Sequence, residues 1–498
     1  MTEVTDRTDV EGVPGRSGVP GTAGGRLSPQ AAELTRGLDA CLSQLRAAQE
    51  EVRRFAASCA DLGLPVDPGV TGCLLDAARR AERRVADEPV GPDLSAGEAV
   101  LRFGLSTVAY VRGALEWCAQ SYDQSRAVQF FDPRAQNSPT VNYERYGHPA
   151  VDRVDSQLHE VFGLSDRLAA TTTSSGMAAF SVIESFLVRD RLRPGDVVLL
   201  APYVYFESDE QLAALPFVRL ERARAYEAAG IVDDVRRLRP KVLFVDRIAN
   251  TAEQRVVDLH ALLTGLRQVL TERLTVVIDG TMASATLPPA LLESDDLVEV
   301  LYYESCSKYL QLGLDSGMAG VVVHPAELTE RVLRLRRNAG AVLYRHSAEL
   351  FPRYDRDLLR ARVRRICANA TALATLLHAD PRTARSGALF HPSLPDHPDR
   401  LLVQGSDCVT GFATFLFHDA TRNTKKGLDE VIDRILVHAR AAGVQLTKGA
   451  SFGFSVPRAS AADAMAPGRP PFLRLYAGDR EAEVPALAEV VARGLEDG

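Results

Sequence analysis

From about residue 140 onward, short runs of continuous apolar residues alternate with helix-like stretches. Val197-Val198-Leu199-Leu200, Val242-Leu243-Phe244-Val245, Thr275-Val276-Val277-Ile278 and Gly320-Val321-Val322-Val323 read as buried strands, with Leu259–Arg273 as a helix between two of them. Strands that are apolar on both faces and alternate with helices predict an α/β fold with a largely parallel sheet, covered on both sides. From about 346 the texture changes. An arginine-rich helix over Arg356–Thr375 precedes a strand at Phe412–Phe417, a helix at Leu428–Ala442 and a strand at Phe472–Tyr476. That pattern predicts a smaller α+β domain packed beside the large one, with residues 459–471 as a loop.

Upstream, Leu34, Leu38, Cys41, Leu42, Leu45 and Ala48 form a helical stripe. It opens at Ser28-Pro29, where serine caps and proline suits the first turn. Two more helices are expected near Gly72–Val85 and Ser95–Gln120. Arg79, Arg80, Arg83 and Arg84 read as a solvated helix face. Residues 1–26 are rich in glycine and proline and offer little apolar area, so they are expected to be a flexible tail. The expected organisation is therefore a disordered tail (1–26), a helical N-terminal region (27–125), a large domain (126–345) and a small C-terminal domain (346–498).

Composition narrows the function classes. The 498 residues are 46% hydrophobic and 25% charged, with a formal net charge of -7. This balance gives no reason to expect nucleic acid or an acidic membrane as partner. The 7 cysteines are scattered without metal-ligand spacing and read as reduced thiols. No signal-like start and no apolar run of membrane-spanning length is seen. The expectation is a soluble cytoplasmic protein.

Ligands of parallel α/β sheets bind beyond the carboxyl ends of the strands. Asp246, Asp279 and Lys308 each lie at or just after such an end and are expected to converge on one crevice. Lys308 follows Glu304-Ser305-Cys306-Ser307, and an ammonium at the end of a buried strand suits a lysine that is used chemically. Thr171-Thr172-Thr173-Ser174-Ser175-Gly176 places hydroxyls and a glycine at a helix start, a phosphate cradle in outline. Taken singly, each has an ordinary alternative. Lys308 could be a surface lysine, Asp279 a turn cap beside Gly280, Ser175-Gly176 a simple helix cap, and Arg474 an edge-strand ion pair.

In their order and mutual spacing, these segments resemble the cystathionine γ-synthase/cystathionine γ-lyase family of pyridoxal-phosphate enzymes, a branch of the aspartate-aminotransferase-like fold type I. The likeness runs from about Tyr143 to the C-terminus. It implies a mostly parallel, seven-stranded type of sheet with a smaller C-terminal domain and pyridoxal 5'-phosphate as cofactor. Tyr143-Glu144-Arg145 resembles the segment whose tyrosine and arginine reach the cofactor phosphate of a neighbouring subunit, which implies a homodimer or homotetramer. Ser174-Ser175-Gly176-Met177 looks like the phosphate loop, and Ser305 and Ser307 like hydroxyls supporting it. Tyr205, in preference to Tyr203, matches the tyrosine that stacks on the ring and assists proton transfer. Asn250 matches an asparagine near the phenolic oxygen, Asp279 the ring-nitrogen partner and Lys308 the Schiff-base lysine. Arg474 matches the arginine that clamps the substrate carboxylate, and Ser451 falls in the turn that helps hold it.

Departures from the family pattern concentrate near the substrate. Leu312-Gly313-Leu314 stands for a Gly-His-Ser run before Asp315, Phe206-Glu207-Ser208 for Gly-Gly-Thr, His148 and Ala150 for Asn and Thr, and Ala450 for an acidic residue. The resemblance implies elimination or replacement on an L-amino acid with a side-chain leaving group. Cγ chemistry is the first expectation and β-elimination, favoured by Ala450, the second. A non-catalytic sensor or scaffold that binds the cofactor is the alternative from another class.

Overall fold

A computed structural model of the chain describes residues 27–61, 66–91, 94–118, 145–406, 408–463, 465 and 468–496. The expected tail, the end of the expected N-terminal helical region and the motif residue Tyr143 lie outside the described residues. The chain divides into two compact units at Pro139/Thr140.

Among the described residues the first unit holds three helices: α1 (Pro29–Asp61), α2 (Pro68–Ala86) and α3 (Ser95–Trp117). The stripe from Leu34 to Ala48 is buried in its core, joined by Val52 and Phe55. A Cβ at Gly104 of α3 would sit 2.5 Å from Cys41 Sγ and 2.9 Å from Val85, so glycine permits the close approach of all three helices. The four arginines of α2 are exposed, as a solvated face requires.

The second unit is built on two sheets. Its large sheet has strands β1 (Leu168–Thr173), β2 (Val197–Leu200), β3 (Arg219–Arg222), β4 (Val242–Asp246), β5 (Leu274–Asp279), β6 (Val298–Ser305) and β7 (Gly320–Pro325). Their spatial order is β1-β7-β6-β5-β4-β2-β3, seven strands in all. The run from β3 to β6 is parallel, whereas β7 is antiparallel to both β6 and β1. The helices α4 (Pro149–Phe162), α5 (Gly176–Phe186), α6 (Phe206–Ala213), α7 (Ala228–Leu238), α8 (Leu259–Val269) and α9 (Thr329–Asn338) accompany it. One core lies on each face. Leu243, Val245, Val276, Ile278, Val300 and Tyr302 face one way; Phe244, Val277, Leu301 and Tyr303 face the other. Double burial explains why these strands read as unbroken apolar runs.

The small sheet comprises β8 (Gly387–Phe390), β9 (Phe412–Phe417), β10 (Thr447–Lys448), β11 (Arg458–Ala462) and β12 (Phe472–Tyr476), ordered β10-β11-β12-β9-β8. Helices α10 (Arg356–Ala379), α11 (Lys425–Ala441) and α12 (Val484–Glu496) supply apolar partners for one face, which carries Phe415, Ala459, Leu473 and Leu475. Arg458, Ser460, Arg474 and Tyr476 occupy the opposite face, since side chains alternate along each strand.

This sheet corrects the loop expected at 459–471, because residues 459–462 are strand, paired residue by residue with β12. Alanine and serine carry little strand propensity. Their small side chains nonetheless fit an interior strand where Ala459 is fully buried. The helix expected over Leu259–Arg273 also ends early, at Val269. No helix among the described residues is long and apolar enough to cross a membrane.

A buried ion pair ties α10 to the end of β12. Arg362 Nε lies 2.9 Å from Asp479, and Ser455 donates a 3.1 Å hydrogen bond to the same carboxylate. A Cβ on Gly313 (φ 81) would meet the Arg362 guanidinium at 2.6 Å and Ser455 N at 2.8 Å. Thus one arginine holds two turns together.

On β6, Glu304 is completely buried and accepts hydrogen bonds from Tyr302 and, at 2.7 Å, from Ser284. Burial outweighs these bonds and pushes its carboxyl up to about 8. The folded protein therefore retains a proton that the unfolded chain releases near the ordinary carboxylate range. That contribution to stability is full below about pH 4.5 and is lost as pH rises toward about 8. Glu304→Gln should flatten the decline of melting temperature between pH 5 and pH 8, measured by thermal denaturation at both ends.

Candidate active site

The carboxyl ends of β4, β5 and β6 bring three polar groups into one row. Asp246 pairs with Asp279, and Asp279 with Tyr303, so the three side chains emerge on the same face of the sheet. Asp279 accepts a 2.8 Å hydrogen bond from Thr281 N, and the Tyr303 hydroxyl bonds to it. Ser208 lies 3.3 Å from that hydroxyl. Burial raises the Asp279 carboxyl despite those bonds and despite the nearby Lys308. Asp246 is raised well above its ordinary value, by burial and then by Asp279. Two buried acids side by side, facing a crevice, call for a positive partner.

Lys308 follows β6 and caps a short turn of helix at Tyr309–Gln311. It is largely buried, and burial together with Arg474 lowers its ammonium below the usual lysine range. Gly453 (φ 93) rests on its backbone, where an added Cβ would lie 2.3 Å from the Lys308 carbonyl carbon. Its neighbour Phe452 has its ring centroid 5.8 Å from Lys308 Nζ and 5.8 Å from the Arg474 guanidinium carbon. Ser451 precedes them in the left-handed region (φ 77).

Arg474 lies on β12 between β11 and β9, an interior strand, so its edge-strand alternative falls. It is buried against Phe412, Phe452 and Phe472 and donates a hydrogen bond to Asn250 Oδ1. Its Nε has no hydrogen-bond partner among the described residues. Tyr205 is half-buried before α6, with its phenol pushed up to about 12 by burial and by Glu207. Tyr203 is more deeply buried, and burial followed by Asp246 raises it further.

The expected phosphate loop forms the N-terminus of α5. Ser175 caps the helix by accepting from Ala178 N at 3.0 Å. A Cβ on Gly176 would strike Ser305 at 2.7 Å, so the loop and the end of β6 touch directly. Gly320 seals the other side, since its Cβ would meet Ser175 O at 2.1 Å. Ser307 Oγ accepts from Ala319 N at 3.4 Å. Met177 is partly buried against the core of this face. Arg145 sits on an exposed turn beside the Tyr146 ring.

These residues fit pyridoxal phosphate. Helix amides and serine hydroxyls suit a phosphate, Asp279 suits a protonated ring nitrogen, and Lys308 suits the aldehyde. A family model described as Cys/Met metabolism PLP-dependent enzyme matches residues 117–443. The chain belongs to this family. Among its relatives are the bifunctional enzyme flvA of Aspergillus flavus, 33% identical over 386 residues, and an L-methionine gamma-lyase of Streptomyces avermitilis, 32% identical over 245 residues. Those matches cover 76% and 49% of this chain, but 46% and 54% of the relatives, so the chain spans about half the length of these curated proteins. A solved structure of a methionine gamma lyase from Micromonospora echinospora superposes with TM-score 0.58 at 25% identity, covering 73% of this chain and 91% of that one. The fold is type I of the pyridoxal-phosphate enzymes.

Sequence reasoning missed Tyr303, Thr281, Phe452 and Gly453. Tyr303 was hidden inside an apolar run, and only strand register shows that it faces Asp279. Gly453 is the position most exposed to test. Gly453→Ala forces a non-glycine residue to positive φ and drives its Cβ into Lys308, which should lower stability by at least about 1–3 kcal/mol. Cofactor affinity should fall with it, as read by denaturant unfolding and by titration of the visible absorption band.

Proposed function

We propose that this enzyme eliminates or replaces a leaving group at Cγ of the side chain of an L-amino acid. The observation that carries this reading is Arg474, a buried guanidinium held by a neutral amide with its Nε unpartnered, across Phe452 from Lys308. Such a cation calls for an anion, and a substrate α-carboxylate gives the planar, bidentate match. With the carboxylate on Arg474 and Ser451, the substrate Cα–H bond is turned toward Lys308.

Pyridoxal phosphate, when bound, supplies an electron sink for the pair left at Cα. Lys308 takes the Cα proton and afterwards moves protons at Cβ, a task helped by the lowered basicity that burial gives it. Asp279 holds a proton on the ring nitrogen, while Tyr303, Thr281 and Ser208 keep that carboxylate in place. Tyr205 would stack on the ring and assist proton transfer, and Asn250, which accepts from Arg474, would serve near the phenolic oxygen. Ser175, Gly176, Met177, Ser305 and Ser307 would hold the phosphate. Tyr143 and Arg145 are assigned to the phosphate of a neighbouring subunit, which makes the working form a homodimer or homotetramer in the cytoplasm. One relative's printed name, L-methionine gamma-lyase, supports the Cγ assignment, and another's, cystathionine beta-lyase, supports β-elimination.

β-Elimination is the second reading. It is favoured by Ala450, which leaves no carboxylate at the position where the resemblance expects one.

Two measurements test the proposal. Lys308→Ala should lose the absorption band of covalently held cofactor, and borohydride should no longer fix cofactor to the protein; persistence of either would refute the lysine assignment. Product mass spectrometry over a panel of β- and γ-substituted amino acids should show loss of the γ-substituent. Loss of β-substituents alone would select the second reading, and no turnover with retained cofactor would select a non-catalytic role.

A further inference from the structure

Arg474 has a neighbour of the same charge. In the antiparallel pairing of β11 with β12, Arg458 stands opposite Tyr476 and Ser460 opposite Arg474. Arg458 and Arg474 are thus diagonal on one face of the small sheet, with backbones about 7–8 Å apart. Both lie within electrostatic reach of Lys308.

The surroundings of Arg458 are half-finished. Its guanidinium lies 3.3 Å from the Phe454 ring centroid, and its side chain is only 23% exposed. One arm donates to the Ala450 carbonyl at 3.2 Å. The other is 3.9 Å from Asp315, too long for a hydrogen bond, and the Asp315 side chain is 59% exposed. Nε is buried with no hydrogen-bond partner among the described residues. Arg362 shows what a structural arginine looks like in this chain, with a buried carboxylate at 2.9 Å. Arg458 instead keeps a flat, rigid fork on an aromatic shelf, with a loosely held carboxylate in place of a full counterion.

We infer that Arg458 is a second anion-binding group of this site, and that the preferred substrate is an amino acid with a carboxylate or similar anionic oxygen group at the far end of its side chain. This deepens the proposed function and rests on the assignment of the α-carboxylate to Arg474. Both guanidiniums belong to one face of the small sheet and both act on Lys308, so one amino acid held at Lys308 has a cation for each of two anionic ends. Asp315 holds Arg458 loosely between turnovers and gives way when the distal anion arrives. Ala450 contributes a carbonyl and no competing charge.

The test compares two six-carbon amino acids without a leaving group, L-2-aminoadipate and L-norleucine, as ligands of the holoenzyme. Binding is read from the change in the cofactor absorption band, so no turnover is required. The wild type should bind the dicarboxylate about ten- to hundredfold more tightly. Arg458→Met should erase that preference while leaving the norleucine affinity nearly unchanged, Arg458→Lys should keep part of it, and Asp315→Asn should increase it. Equal affinities in the wild type, or a preference that survives Arg458→Met, would overturn the inference. Should Arg458→Met fail to hold cofactor, Asp315→Asn decides, and an unchanged preference there counts against it. Norleucine binding in the wild type and the variants keeps the Arg474 and Lys308 assignments standing on their own. No response to either ligand rejects those assignments and this inference with them.

Discussion

The buried pair of Arg362 and Asp479 is the constraint on which the geometry of the site depends. A charge pair removed from water repays its desolvation only if its geometry is good, and losing one partner typically destabilises by about 3–5 kcal/mol. Here the pair does more than join α10 to the end of β12. Ser455 bonds to the same carboxylate, and Gly313 lies against the same guanidinium. The turn after Lys308 and the turn carrying Ser451, Phe452 and Gly453 are therefore pinned to one point. Lys308 and Arg474 come from different sheets, so their mutual position needs such a pin.

Around that frame the charged groups are left incomplete in a consistent way. Asp246 and Asp279 sit side by side with their carboxyls raised, and Arg474 has a neutral amide as its hydrogen-bond partner, with the Asp463 charge nearby. Each arrangement is unfavourable in isolation and becomes favourable when the opposite charge enters the crevice. In the proposed function a cofactor and an amino acid would bring both signs: a ring nitrogen for the acids and a carboxylate for the arginine.

Much of the fold was legible because double burial writes itself into sequence as valine and leucine runs, as at β2, β4 and β5. The same rule hid Tyr303, since a tyrosine inside such a run reads as core until register places it beside Asp279. β11 escaped notice because small residues suit a crowded interior strand but carry no pattern. Ser175, Gly176, Asp279 and Lys308 were visible because each sits at a junction where an element ends, and junctions are marked by polar residues. Gly453 and Arg362 act through close approach between distant segments, which no local pattern encodes.

The edge position of β1 has a consequence for how the chain is made. β1 has one neighbour in the sheet, β7, with Leu168 opposite Pro325. On the ribosome, the three helices of the first unit emerge early and meet only partners close in sequence, so their core can close at once. β1 emerges next and must wait, its edge unsatisfied, until nearly every other strand of its sheet has been synthesised. Gly320, which seals the loop at Ser175, arrives with that last strand. The loop at Ser175, proposed to hold the cofactor phosphate, is thus completed only when β7 is in place.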